Sequence, residues 1–228
     1  MTLDLAVVVS GGGSNLQSII DAIEDGRLDA KIRVVLSNNP DAYGLERARK
    51  HGIPAVGKDH NAFPSREMFD EFLMAEVNDS GADTVALAGF MRLVTPGFLE
   101  AFPQRVINIH PALLPSFPGV HGQRDAADYG VRISGCTVHF VDEKVDHGPV
   151  IIQAAVPAQS DDDGSSLGKR ILALEHRIYP QALQWLAQDR LRIEGRQVIL
   201  HSQDDLDEAD FAPVNGAYLV YPPLEKGF

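Results

Sequence analysis

The chain has 228 residues, 44% of them hydrophobic and 23% charged, and its 32 acidic against 20 basic side chains leave a formal net charge of −12. Such a chain can bury the core of one large globular domain, and its acidity opposes general binding to nucleic acid or an anionic membrane while still allowing a small anion in a locally positive pocket. The single cysteine, Cys136, excludes an intramolecular disulfide and a cysteine-rich metal site, and the first residues enter a short apolar segment with no leader pattern, so the cytoplasm is the expected setting.

Residues 5–9 are aliphatic and predict a buried strand. Over 15–25, Leu16, Ile19, Ile20 and Ile23 share one face and predict a helix. Residues 32–36 predict a second strand, 45–51 a short helix that Gly52 and Pro54 end, and 54–56 a third strand. Ser65 is placed as the N-cap of a helix to about residue 80, in which Phe69, Phe72, Leu73, Glu76 and Val77 recur at helical spacing. A fourth strand is expected at 84–88, a short helix with proline near its start at 96–102, and a fifth strand at 106–110. Alternation of this kind predicts an α/β fold with a doubly wound, mostly parallel open sheet. The texture then changes. Pro111, Pro115, Pro118 and Gly119 predict an extended loop, with the Leu114-Pro115 peptide a candidate for the cis form. A short helix at 123–129 follows, then strands at 134–141 and 150–155 joined by a charged loop, which gives an antiparallel C-terminal portion. Residues 165–188 predict a long amphipathic helix that bends or reorganises at Pro180, and 191–194 with 197–200 predict a hairpin around Gly195. The tail after His201 begins acidic and ends in prolines, a composition that favours partial disorder. With no repeat and no long linker, residues 1–200 read as one domain, divided into a nucleotide-binding-like half over 1–107 and a second half over 108–200, and 201–228 as a tail.

Two stretches carry chemistry. Asn108 and His110 are two apart at a predicted strand end, so they project to the same side, where ligands bind in open α/β sheets. An amide can hydrogen-bond a developing oxyanion and a histidine can carry a proton at neutral pH. Residues 10–15, Ser-Gly-Gly-Gly-Ser-Asn, join the first strand to the first helix. Glycines let backbone N–H groups approach an anion at a helix N-terminus. The dinucleotide fingerprint fails, because Leu16 stands at its third glycine and Asn38 and Asn39 where its acidic residue would be. The turn therefore points to a monophosphate.

The sequence SGGGSNLQSII from residue 10, GLERAR at 44–49, LAGFMRLV at 87–94, NIHPALLPSFPG at 108–119 and GCTVHFVDEKVDHGPVIIQ at 135–153 together resemble the folate-dependent phosphoribosylglycinamide formyltransferase family. The likeness runs from about residue 5 to about residue 200, and Gly12 stands where a common family version has asparagine. The resemblance implies transfer of a formyl group from 10-formyltetrahydrofolate to the amine of glycinamide ribonucleotide in purine synthesis. It makes Asn108, His110 and Asp146 the catalytic trio. It puts the substrate's phosphate on Gly13, Ser14 and Asn15 and its ribose hydroxyls on Glu175. It assigns the folate to Arg66, Met91, Arg92, Leu93, Val94 and Asn108, with the loop from Val141 and Asp142 to Asp146 along the pterin, so that 108–200 is the folate and catalytic half.

The implied chemistry is direct. The amine attacks the formyl carbon, and the growing charge on oxygen meets the Asn108 amide and protonated His110. Asp146 is the expected partner of His110, since a nearby carboxylate favours imidazolium, and it can relay protons through water to the leaving nitrogen. Neither a covalent enzyme intermediate nor a metal is called for, and the eight histidines show no ligand spacing. Monomer and homodimer both stay open.

On residues alone, Asp146 is a solvated turn residue, Glu175 a surface ion pair, Arg66 a solvated head and Met91 and Leu93 core, whereas Arg92 after an apolar run must find a partner. His121 is a second-rank candidate, His139 reads as structural, Cys136 lacks an activating base, and Asp161, Asp162 and Asp163 complement a helix dipole. Three other functions are weighed. A formyltetrahydrofolate hydrolase is expected to carry an extra N-terminal domain. A methionyl-tRNA formyltransferase needs a further domain and a basic surface. A non-catalytic phosphoribosyl-ligand sensor has no use for the trio.

Overall fold

The computed structural model describes residues 2–201 and 219–228. In chain order the elements are β1 (Leu3–Val9), α1 (Ser14–Glu24), β2 (Ala30–Ser37), α2 (Tyr43–Lys50), β3 (Ala55–Gly57), α3 (Arg66–Ser80), β4 (Thr84–Leu87), α4 (Pro96–Ala101), β5 (Val106–His110), α5 (Gly122–Tyr129), β6 (Ile133–Phe140), β7 (Val150–Pro157), α6 (Gly164–Ala187), β8 (Leu191–Glu194), β9 (Gln197–Leu200) and β10 (Leu219–Tyr221). One sheet runs β3-β2-β1-β4-β5-β6-β7-β9-β8, with β10 beside β7. Strands β1 to β5 pair in parallel, while β6 is antiparallel to both β5 and β7. The expected α/β sheet, parallel first and antiparallel later, is what the chain forms.

Its inner strands are buried on both faces, which is why they read as unbroken apolar runs. In β1, Leu5, Val7 and Val9 belong to one core cluster, and Ala6 and Val8 to the other. The first cluster includes Leu16, Ile19, Ile178, Tyr179 and Trp185 from α1 and α6, and the second includes Phe69, Leu73 and Phe98 from α3 and α4. Ser65 caps α3 through its hydroxyl, as its position predicts. Asp163 caps α6 and forms a capping box with Ser166.

Two expectations change. Helix α6 runs through Pro180 without a break. Proline removes one helical hydrogen bond at a cost of about 3 kcal/mol. Ile178, Tyr179, Ala182, Leu183 and Trp185 are fully buried around it, and each large apolar side chain contributes about 1.5–3 kcal/mol, so packing wins. The end of the tail is docked. Leu219–Tyr221 pairs with β7, Glu225 accepts from Trp185 Nε1 at 3.0 Å, and Arg177 donates to the Phe228 carbonyl at 2.9 Å. Residues 202–218 of the expected tail lie outside the described residues. The Leu114-Pro115 peptide is cis, as the proline-rich loop suggested, and Tyr221-Pro222 is cis as well.

The strand order reverses between β1 and β4, because β2 lies on one side of β1 and β4 on the other. A crevice forms outside the C-terminal ends of strands at such a point. The glycine turn after β1, the loop after β4 and the end of β5 all open there.

Candidate active site

Strand β5 ends in Asn108 and His110, and β6 faces them, Asn108 opposite His139 and His110 opposite Thr137. Cross-strand partners in an antiparallel pair lie within side-chain reach. Asn108 Nδ2 is 3.2 Å from His139 Nε2, and His139 Nδ1 is 2.8 Å from the Phe140 carbonyl oxygen. A carbonyl only accepts, so Nδ1 carries the proton. Burial pushes the pKa of His139 below the ordinary histidine range, so the ring is neutral and its Nε2 lone pair accepts one amide hydrogen of Asn108. The other amide hydrogen is left for the cavity.

His110 is 3% exposed. Its Nε2 donates to the Phe117 carbonyl at 2.8 Å, which turns Nδ1 toward Asp146 Oδ2 at 3.4 Å. The same Asp146 oxygen accepts the Gly119 N–H at 2.7 Å, and Oδ1 lies 3.8 Å from His139 Nε2. Asp146 has φ +47°, a left-handed conformation that costs a non-glycine residue about 1 kcal/mol or more and gathers at functional sites. The fold thus brings Asn108, His110 and Asp146 together and adds His139, which strand spacing assigns to structure. Its place at the site depends on the β5–β6 register, which local pattern does not encode.

A cavity opens over these groups. Met91, Arg92, Leu93 and Val94 form one wall, and Val141, Asp142 and Asp146 another. Lys144 and Val145 line it as part of the loop expected along the pterin, and Gly119, Val120 and Gln123, to which the sequence assigns no role at the site, line it as well. The Arg92 guanidinium lies 5.6 Å from the centre of the Phe69 ring, while its buried Nε has no hydrogen-bond partner among the described residues. Asp70, 1% exposed, lies near both Arg92 and Arg66 and accepts the Thr95 N–H at 2.6 Å. Burial pushes the Asp70 pKa up, against the Thr95 bonds and the two arginines. Arg66 itself is not among the lining residues and sits at the start of α3, 4.0 Å from Glu67. The loop from 111 to 119 is braced from below. Thr137 Oγ1 accepts from Leu114 N and donates to the Ala112 carbonyl, and Gln153 donates to the Leu114 carbonyl.

The glycine turn is packed against α2. A Cβ on Gly13 would lie 2.7 Å from Gly44 Cα, and Gly13 has φ +68°, so only glycine fits both constraints. Gly44 donates to the Gly11 carbonyl at 2.9 Å and Arg47 Nε to the Gly12 carbonyl at 2.8 Å. The GLERAR stretch is therefore part of the turn's support. Asn15 Nδ2 donates to Glu175 Oε2 at 2.7 Å, across 160 residues of chain. Burial pushes the Glu175 pKa up against this bond. A second hollow at the start of α1 is lined by Ser14, Gln17, Ser18, Asp21, Arg27, Arg47 and His176, two arginines against one acid, with burial pushing the His176 pKa down.

The remaining candidates fall away from the chemistry. His121 precedes α5, is exposed and is not among the cavity's lining residues. Cys136 is fully buried and its thiol is pushed well up by burial, with Glu175 adding to the effect. Among the described residues no three His, Cys, Asp or Glu side chains group as a metal would require, and no helix is long and apolar enough to cross a membrane.

The formyl transferase family profile matches residues 3–183. The chain is similar to the phosphoribosylglycinamide formyltransferase of Escherichia coli (strain K12), with 42% identity over 201 residues, 88% of this chain and 95% of that protein. It is also similar to the trifunctional purine biosynthetic protein adenosine-3 of Drosophila pseudoobscura pseudoobscura, 48% identical over 190 residues, of whose length it spans 14%. Among solved structures, glycinamide ribonucleotide transformylase 1 from Symbiobacterium toebii superimposes with a TM-score of 0.87 at 50% identity, over 88% of this chain and 95% of that one.

Proposed function

This chain belongs to the formyl transferase family, and we propose that it moves a formyl group from 10-formyltetrahydrofolate to the amine of 5′-phosphoribosylglycinamide in purine biosynthesis. The products are formylglycinamide ribonucleotide and tetrahydrofolate. The observation that carries the reading is the convergence of Asn108, His110 and Asp146 on one cavity beside the glycine turn.

The phosphate sits against Gly13, Ser14 and Asn15, where the first N–H groups of α1 are free and the helix dipole favours an anion. Glu175, oriented by Asn15, accepts from the ribose hydroxyls. The folate lies between Met91, Arg92, Leu93 and Val94 and the loop from Val141 and Asp142 to Asp146, and Arg66 meets its outer end. The amine lone pair forms the new carbon–nitrogen bond while the formyl oxygen takes up negative charge. The free amide hydrogen of Asn108 and the Nδ1–H of His110 stabilise that oxygen, and removal of one such donor costs ~10²–10³ in turnover. Because Nε2 is committed to Phe117, a donating Nδ1 requires the doubly protonated ring, and the Asp146 carboxylate lies 3.4 Å from that nitrogen. As the bond to the folate nitrogen breaks, the proton lost by the amine passes through water on Asp146 to that nitrogen. The domain proposed to do this is 1–200, and its setting the cytoplasm.

A direct test mixes the purified protein with both substrates. Formylated product and tetrahydrofolate must appear one for one. Consumption of the formyl donor without the amine would make the protein a hydrolase.

A further inference from the structure

The two binding regions meet at Ser10. Ser10 follows β1 and opens the glycine turn. Its Oγ accepts the Met91 N–H at 2.9 Å and lies 2.6 Å from Asn38 Oδ1. A hydroxyl has one proton to give, and the bond from Met91 directs it to Asn38. The Ser10 N–H in turn donates to the Gly89 carbonyl at 3.1 Å.

These bonds matter because the donor-side wall, though Phe90 and Val94 pack into the core, has few backbone anchors. Residues 88–95 form no helix or strand, Gly89 has φ +75°, and the Met91 and Leu93 side chains are 59% and 50% exposed. Its backbone is fixed at the Ala88 N–H on the Val8 carbonyl, at Ser10, and at the Thr95 N–H on buried Asp70. The middle anchor alone belongs to the phosphate turn. An anion bound on the N–H groups of Gly13, Ser14 and Asn15 restricts the turn that Ser10 opens, and the Ser10 hydroxyl passes that restriction to the Met91 backbone.

We infer that Ser10 is a positioning residue that couples the two substrate sites, so that occupancy of the phosphate turn orders the folate wall and the reverse. The identity of the two ligands rests on the proposed function. Ser10 touches no reacting atom. Coupling between sites is reciprocal, and one hydrogen bond is worth about 2- to 12-fold in an equilibrium constant.

The experiment is calorimetric titration of tetrahydrofolate into the full chain, with and without saturating glycinamide ribonucleotide, for the wild type, Ser10→Ala and Ser10→Thr. The wild type binds folate about 2- to 12-fold more tightly when the ribonucleotide is present, and the reverse titration gives the same factor. In Ser10→Ala the factor falls to within about 1.5-fold of unity, and the donor KM rises with kcat nearly unchanged. Ser10→Thr keeps the hydroxyl and restores the factor. Should Ser10→Ala not fold, Asn38→Ala, which removes the acceptor of the same hydroxyl, must at least halve it. A wild type whose two affinities are independent, or variants that leave the factor unchanged, overturn the inference. The factor is read from binding alone, so a protein that couples its ligands without transferring formyl overturns the proposed function and leaves the coupling standing. One that binds neither ligand overturns both.

Discussion

Gly122→Ala should cost catalysis while sparing the fold. Gly122 opens α5, and a Cβ there would stand 3.1 Å from His110 Nε2, 3.2 Å from the Phe117 carbonyl oxygen and 3.3 Å from Ala112 Cβ. Each contact is tighter than ordinary van der Waals approach, so the neighbours must give by a few tenths of an ångström. His110 is 3% exposed and its Nε2 is bonded to that same carbonyl, so the ring moves with the bond and Nδ1 shifts against Asp146. A misplacement of 1 Å can cost ~10² in rate, and a few tenths therefore cost about 3- to 10-fold in kcat. Stability changes little. Alanine in place of glycine within a helix gains up to about 1 kcal/mol, and slight overpacking loses about 1 kcal/mol or more. The assay is steady-state kcat with both substrates saturating, beside a thermal melt. Wild-type kcat with an unshifted melt would refute the reasoning, and so would a rate loss that merely follows the folded fraction.

Four further outcomes follow from the geometry. Asp146→Asn keeps an acceptor for Gly119 but removes the carboxylate 3.4 Å from His110 Nδ1 and with it the proton carrier, so kcat should fall by ~10² or more with substrate affinity within about threefold; stopped-flow turnover beside equilibrium binding reads both. His139 has its pKa lowered by burial, so the unfolded chain takes up a proton first as pH falls below the ordinary value of 6.5. Its contribution to stability is therefore complete above that value and is lost as pH falls toward the folded pKa, and the melting difference between wild type and His139→Gln must shrink over that window. Glu175→Ala strands the Asn15 amide and costs about 1–3 kcal/mol with a raised ribonucleotide KM, whereas Glu175→Gln keeps an acceptor and loses less, as melts and initial rates will show. Glu225→Ala breaks the bonds from Trp185 and Arg190, at 3.0 and 2.5 Å. It should lower Tm by about 2–6 °C through the loss of about 1–2 kcal/mol while kcat at 25 °C stays unchanged.

Much of this was legible in the chain, for reasons that differ by residue. The strands Leu3–Val9 and Val106–His110 are largely buried on both faces, so Leu5 to Val9 and Val106 with Ile107 read as apolar runs. Asn108 and His110 show themselves because two-residue spacing on one strand is enough to set a common face. Asp146 lies in a loop whose path no periodicity fixes, and only resemblance singled it out. That His139 lies against Asn108 could not be read from the chain, because its partner is chosen by the register between β5 and β6, a property of two distant segments. The docking of 219–228 depends on acceptors and donors on α6 and just beyond it, Gln181, Trp185 and Arg190, that an acidic, proline-rich composition gives no hint of. Pro180 misled in the opposite direction, since a local rule about proline yielded to burial on every side.

The central claim is that His110, held by Asp146 beside Asn108, stabilises the charge that builds on a formyl oxygen. Its most direct test is single-turnover formyl transfer by His110→Ala, with both substrates bound to saturation. The rate should fall by ~10²–10⁴ while both dissociation constants stay within about threefold of the wild type. Transfer at the wild-type rate by that variant would contradict the account.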